Sequence, residues 1–362
     1  MPAMSERDPK PGPAPRASGA PSVSGAPRAP RAVDVAAAAE VSIATVSRVF
    51  NNPEKVAPAI RERVLATAKA MGWMPHAAGS ALARRRTSIV GAVIPTLDNE
   101  VFAAQVGAMQ ATFADRGITL LLSCFNYDRD QAAHDVQAML ARGVEALAIV
   151  GEAHRPDLFA SIQARHIPYV VTYSHRPDSP HPCIGFDNRQ AFHSIARHLL
   201  DLGHETIGVI IQPTTGNDRV AARLDGVREA LAERGLGIRP QHLCEGEWSI
   251  DFGRQSVRAM LASDPPPTAV ICGNDYLALG ALLEARAMGL SVPHDLSITG
   301  FDDIAISRQL DPPLTTMHVD NHEIGRRAAA YLLACLEGSQ PSALPPLVPT
   351  LIRRGTTAAP RP

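Results

Sequence analysis

From Ser88 onward the chain alternates short apolar runs with helix-patterned stretches, and this alternation constrains its fold more than any other feature. The runs are 88–95 (SIVGAVIP), 118–124, 146–150, 169–173, 206–211, 269–272 and 296–299, several of them rich in Val and Ile. Helical patterns separate them at 101–116, 130–142, 156–165, 189–202, 219–234, 251–262 and 276–288. Short strands that are apolar on both faces and joined through helices predict α/β architecture with doubly wound parallel sheets. Residues 88–356 exceed one typical domain of about 100–200 residues. Two similar subdomains with a cleft between them fit better.

Charge separates the front of the chain from this body. Residues 1–86 hold 13 Lys/Arg against 6 Asp/Glu, a surplus of +7, and the remainder carries −8. A basic end on an acidic body suits a polyanion-binding head, although charge alone also fits a solvated basic tail. Within residues 1–30, 21 are Pro, Ala, Ser or Gly, which predicts a disordered leader. Residues 31–75 read as a small all-α head. Short helices are expected at 34–39 and 43–50, with Ser42 capping the second, and Val35, Val46 and Val49 can share one core. A third is expected at 58–71, between Pro58 and Gly72. This is a helix-turn-helix pattern, which by itself leaves DNA binding and protein binding both open.

Several function classes find no support. No apolar run reaches the length of about 18 residues that a membrane span needs. MPAMSERDPKPGPAP offers no apolar signal core, so export is not expected. Five scattered cysteines (Cys124, Cys183, Cys244, Cys272 and Cys335) suit a reducing cytoplasm. There is no phosphate-cradling GxxxxGK[ST], no GxGxxG after a strand and no GxSxG elbow, so the chain is not expected to be an enzyme. His318 and His322 stand four apart, but His318 falls in a predicted strand at 315–319, before the next helix. Neither a metal nor a cofactor is expected.

The ordered motifs carry a resemblance. DVAAAAEVSIATVSRVFN (34–51) and KVAPAIRERVLATAKAMGWMPH (55–76) resemble the lactose-repressor (LacI) family of bacterial transcription regulators. IPTLDNEVFA (94–103), IGFDNRQA (184–191), HLLDLGH (198–204), CGNDYLALGA (272–281), PHDLSITGFDD (293–303) and LTTMHVDNHEIGRRA (314–328) follow in the family's order. The likeness spans roughly residues 31–356. It implies a helix-turn-helix head at 31–75, a hinge helix at 76–87, a periplasmic-binding-protein-like effector domain at 88–356 whose two subdomains exchange the chain three times, and a tail at 357–362.

The resemblance also implies roles. Ile43, Ala44 and Arg48 match positions that meet base edges in the major groove. Arg48 could donate two bonds to a guanine, whereas Ile43 and Ala44 could make only apolar contacts. Thr45, Ser47 and Asn51 suit phosphates. Leu82 matches a leucine that wedges into the minor groove and bends the duplex, with Arg84, Arg85 and Arg86 near phosphates. Arg31, Glu40, Ala57 and Gly79 depart from the family pattern. Arg31 and Ala57 remove helix caps worth about 1 kcal/mol each. Glu40 must make a turn without glycine's freedom, and Gly79 costs a hinge helix about 1 kcal/mol.

In the body, polar residues follow predicted strands: Asp98 and Phe102, Tyr173, Arg219 and Arg223, Trp248, Asn274, and Asp302. Carboxylates and amides can serve hydroxyl groups while aromatic faces cover a sugar's C–H surface. Arg223, Trp248, Asn274 and Asp302 match the family's ligand-contacting positions, and Asp275 is expected to cap the helix after it. The chain is thus expected to be a cytoplasmic homodimeric regulator, a repressor, that binds pseudo-palindromic operator DNA and responds to a sugar or sugar acid. The alternatives are a sugar-binding transport component or a sugar-active enzyme on the same body. The first predicts a signal peptide and no basic head; the second predicts a catalytic pair, and none is visible.

Overall fold

The structure, a computed structural model, describes residues 28–75, 86–339, 341 and 345–361. The disordered leader expected at 1–30, apart from its last three residues, lies outside them, as do Gly79, Leu82, Arg84 and Arg85 of the expected hinge. The chain divides into two units, Met1–Arg84 and Arg85–Pro362.

Among the described residues the first unit holds three α-helices, α1 (Ala32–Ala38), α2 (Ile43–Asn51) and α3 (Pro58–Ala70), with a short 3-10 turn at Pro53–Lys55. Val35, Ala36, Val46, Val49, Val64 and Ala68 are buried together as its core. Trp73 closes one side with an edge-on contact to Phe50, ring centroids 5.4 Å apart. Ser42 caps α2, its Oγ accepting from the Thr45 N–H at 3.1 Å. Arg31 has no side-chain acceptor to offer α1. Instead the Asp34 carboxylate accepts the Arg31 N–H at 2.7 Å, closing the first turn from inside. Ala57 leaves α3 uncapped, with Pro58 at the first helical position. Glu40 turns the chain between α1 and α2 at φ +53°, a left-handed conformation that glycine adopts freely.

The second unit contains two sheets. In the first, β2 (Thr119–Cys124), β1 (Ile89–Ile94), β3 (Ala146–Val150), β4 (Tyr169–Thr172) and β5 (Cys183–Ile184) lie in that order, all parallel. The second runs β11 (Thr350–Ile352), β10 (Thr315–His318), β9 (Ser297–Asp302), β8 (Ala269–Cys272), β6 (Ile207–Ile211) and β7 (Leu243–Glu245). The pattern of apolar runs missed β5, β7 and β11, each only two or three residues long. Strand β11 is also antiparallel to β10, so the second sheet is mixed at one edge.

Helices cover both faces of each sheet: α4 (Glu100–Ala114), α5 (Arg129–Ala141) and α6 (Pro156–Gln163) for the first, α7 (Asn188–Asp201), α8 (Asp218–Ala232), α9 (Ile250–Leu261) and α10 (Asp275–Ala287) for the second. Helix α11 (Asn321–Leu336) follows β10 of the second sheet yet packs on α4 of the first. The chain therefore crosses between the two subdomains after β5, after β10 and again between α11 and β11.

Candidate functional site: a helical reading face and a cleft

In the head, α2 has two unlike faces. Val46 and Val49 are fully buried. Ile43, 52% exposed, shares the outer face with Ala44, Ser47 and Arg48. Ala44, Ser47 and Arg48 stand one, four and five residues after Ile43, which places the four on one side of the helix. Thr45 and Asn51 are half-buried and bonded locally: Thr45 Oγ1 lies 2.9 Å from Ser42 Oγ, and Asn51 Nδ2 donates to Ser47 Oγ at 3.2 Å. The outer face thus offers an apolar patch, a hydroxyl and one guanidinium.

In the second unit, a chamber of about 520 Å³ opens between the subdomains, lined by Thr96, Asp98, Tyr127, Gln212, Asn217 and Trp248 among others. Tyr127, Gln212 and Asn217 also line an inner recess of about 40 Å³, together with Phe102, Tyr173, Arg219, Arg223 and Asp302. The lining follows the carboxyl ends of strands, where open α/β sheets place their ligands. The expected residues therefore divide. Asp98 and Trp248 belong to the outer chamber, while Phe102, Tyr173, Arg219, Arg223 and Asp302 belong to the recess.

Hydrogen bonds fix most of the recess. Tyr173, at φ +63°, donates its hydroxyl proton to the Val101 carbonyl at 2.9 Å and meets Phe102 edge-on. Arg223 is 8% exposed. Its Nε donates to Asn188 Oδ1 at 2.9 Å and its Nη1 to the Gly273 carbonyl at 3.0 Å, and its Cζ lies 4.0 Å from the Phe301 ring centre. Burial lowers its pKa to about 10, so it stays a cation at neutral pH. Arg219 is 9% exposed, and its buried Nε has no partner. Asp302, at φ +108°, makes no hydrogen bond through its carboxylate; burial raises its pKa to about 8, against the pull of Arg223.

Asn274 takes the capping role expected of Asp275. Asn274 is the cap of α10, its Oδ1 accepting from the Leu277 N–H at 2.9 Å. It is 1% exposed, and its Nδ2 is buried without a partner. It does not line either cavity, unlike the other expected effector residues. Asp275 begins the helix and caps nothing. Its carboxylate accepts from the Ile304 N–H and from the hydroxyls of Ser307 and Thr316, joining α10 to the connection after β9 and to β10. A carboxylate that follows an asparagine before a helix cannot be assigned by spacing, because either can cap.

Arg86, expected at DNA phosphates, here donates from Nε and Nη2 to Glu145 at 3.1 Å. As expected, His318 ends a strand and His322 stands in the first turn of α11, so the pair does not share a helix face. Tyr127, Gln212, Asn217 and Asn188 escaped the sequence reading. Tyr127 and Gln212 stand just past β2 and β6, and the strand-end rule would have found both.

A three-helix head with an exposed polar reading face, ahead of a two-lobed α/β body with a cleft, defines a ligand-responsive DNA-binding regulator. Residues 33–76 match the model of bacterial regulatory proteins of the lacI family, and residues 196–357 match the periplasmic binding protein-like domain. The HTH-type transcriptional repressor CytR of Escherichia coli is 32% identical over 327 residues, covering 90% of this chain and 96% of the relative. Catabolite control protein A of Priestia megaterium is 31% identical, with coverage of 83% and 90%. Among solved structures, a LacI-family transcriptional regulator from Silicibacter pomeroyi superposes with a TM-score of 0.84 at 28% identity, covering 90% of this chain and 98% of that one. The lac repressor dimer bound to operator and the anti-inducer ONPF superposes with a TM-score of 0.80 at 27% identity, with coverage of 92% and 100%. The chain belongs to the LacI family of transcription regulators and carries its DNA-binding domain.

Proposed function

We propose that the protein is a cytoplasmic transcriptional repressor. Two copies bind a pseudo-palindromic operator, and a sugar or sugar acid in the cleft modulates that binding. The carrying observation is the outer face of α2, which exposes Ile43, Ala44, Ser47 and Arg48 while Val46 and Val49 hold the head together. The relatives CytR of Escherichia coli and PurR of Aliivibrio salmonicida are HTH-type transcriptional repressors, which supports this reading. A two-fold axis through the protein would match a two-fold axis through the DNA.

In this reading Arg48 reads a base edge and Thr45, Ser47 and Asn51 approach phosphates. Leu82 enters the minor groove, and Arg84 and Arg85 add charge beside it. In the cleft, Arg219, Arg223 and Asp302 face the ligand's polar groups, Phe102, Tyr173 and Trp248 shape its apolar borders, and Asp98 contributes polar atoms, while Asn274 serves the fold as the cap of α10. Residues 31–75 work as head, 76–87 as hinge and 88–356 as effector body, with leader and tail outside.

Selection of duplexes from a random library by the full chain tests this. It should enrich a pseudo-palindrome whose affinity falls steeply with salt, because bound phosphates release counterions. Deletion of residues 1–86 should abolish the enrichment and leave ligand binding in place. Undiminished DNA binding by the deleted form would refute the assignment.

A further inference from the structure

We propose that the cleft's ligand is anionic: a carboxylate on a polyhydroxylated molecule, seated in the inner recess against the Arg219 guanidinium with Arg223 as the fixed wall behind it. The inference rests on reading the cleft as the effector site and names the class of ligand.

Arg219 carries the argument. It is 91% removed from solvent by its 9% exposure, yet its Nε is without a partner and it forms no ion pair among the described residues. Outside the recess, the partly enclosed Arg354 and Arg327 are neutralised, by Asp303 at 2.7 Å and Glu323 at 2.7 Å; within it, neither Arg219 nor Arg223 forms an ion pair among the described residues. A buried unpaired charge is costly, so its retention points to a counter-charge that arrives from outside.

The neighbouring carboxylate is already committed. Asp218 accepts the backbone N–H groups of Glu152 at 3.1 Å and Ala153 at 3.2 Å. Gly151, at φ +80°, lets the guanidinium lie close against the chain: a Cβ there would stand 3.1 Å from Arg219 Nε and 3.4 Å from its Cζ. The group is thus held in place while its donors stay open.

Within the recess Arg223 spends its two bonded donors on neutral oxygens, those of Asn188 and Gly273. Asp302 is the one carboxylate among the residues lining the recess, and it makes no hydrogen bond. Arg219 and Arg223 of α8, Asp275 of α10 and Glu100 of α4 act on it, and burial outweighs the two cations, so it keeps its proton up to about pH 8. As a neutral acid it does not cancel the arginines; it can donate to the incoming group. Two guanidinium groups then face one small space with no anion in it.

A space of about 40 Å³ admits two or three water-sized groups, room for a small anionic group such as a carboxylate. The rest of the ligand would extend into the outer chamber of about 520 Å³, where Thr96, Asp98, Gln212 and Asn217 can serve hydroxyls beside Trp248. Paired N–H donors on a carboxylate give a charge-assisted contact that a neutral sugar cannot make.

Calorimetry with the full chain tests the proposal. The probes are gluconate, galactonate, glucuronate and galacturonate, each paired with its neutral aldose, plus glucose 6-phosphate. At least one acid should bind tenfold or more tightly than its neutral partner. Arg219→Ala should bring that pair within threefold, Arg219→Lys should keep part of the preference, and Arg219→Gln replaces the alanine variant if circular dichroism shows that it has lost its fold. A neutral sugar that binds as tightly as its acid overturns the anion and leaves the effector site standing. So does a preference that survives the loss of Arg219. Tighter binding of the phosphate overturns the carboxylate assignment. Absence of binding by every probe overturns both the anion and the sugar-type effector.

Discussion

Asp302 is the most strained residue of the cleft: a non-glycine side chain at φ +108°, whose carboxylate makes no hydrogen bond among the described residues. Its pKa, raised from 3.8 to about 8 by burial, makes it a pH-dependent liability. The unfolded chain gives up this proton near pH 4, whereas the folded chain holds it to about pH 8. Over that window the folded state binds more protons, so this group's contribution to stability falls as pH rises. Asp302→Asn should therefore raise the melting temperature at pH 8, with the gain shrinking toward pH 4; an equal gain at both would show that Asp302 is already ionised. On the head, the corresponding single-residue test is Arg48. Its guanidinium stands on the exposed face of α2, so Arg48→Ala should relax specificity at one base pair per half-site by about 1–3 kcal/mol. Arg85→Ala should instead weaken all sequences alike. Uniform weakening by Arg48→Ala would make Arg48 a phosphate contact.

Between elements, two short connections carry measurable consequences. Glu40 joins α1 to α2 in a left-handed turn, which costs a side chain about 1–2 kcal/mol. Glu40→Gly relieves that strain and loosens the unfolded chain, so the head should gain about 1 kcal/mol or less in denaturant unfolding. A loss of stability would mean that the Glu40 side chain contributes something the turn geometry does not reveal. At the entry to β1, Glu145 gathers the chain: its carboxylate accepts the N–H of Thr87 and of Ser88, the Thr87 hydroxyl, and the Arg86 guanidinium. These bonds hold its pKa below the usual carboxylate value despite burial. Glu145→Ala should raise amide exchange at Thr87 and Ser88. It also frees Arg86 for phosphate, so the slope of DNA affinity against salt should steepen by about one ion. Unchanged exchange would show that the segment is held elsewhere.

At the scale of the whole second unit, two carboxylates among the described residues bridge the subdomains apart from the three chain crossings. Asp218 of α8 accepts the N–H groups of Glu152 and Ala153 beyond β3, and Glu100 of α4 accepts the Ala305 N–H at 2.9 Å. These three bonds join one subdomain to the other. Loss of Asp218 removes two charge-assisted bonds at the rim of the cleft and should shift the population toward an open form. X-ray scattering of Asp218→Ala should give a larger radius of gyration than the parent, and ligand should reverse the change. An identical radius would mean that packing and the crossings alone set the closure.

Residue patterning alone set the kinds of elements and their order. Apolar Val/Ile runs separated by helical patterns made parallel sheets the economical solution, and Ser42 ahead of Ile43 announced the start of the reading helix. Arg219 and Arg223 were also legible, since residues four apart share a helix face. The shortest strands were not, because Cys183–Ile184 or Leu243–Glu245 become strands only through a neighbouring edge. Nor could spacing separate Asn274 from Asp275: which of two adjacent acceptors caps a helix depends on the donors around them, and Ile304, Ser307 and Thr316 claim Asp275 from distant parts of the chain. Only the tertiary structure decided that Arg219 is enclosed without a counter-charge and that Asp302 shares its recess. Charge and proton affinity are set by what surrounds a group in space, and here those surroundings come from both subdomains.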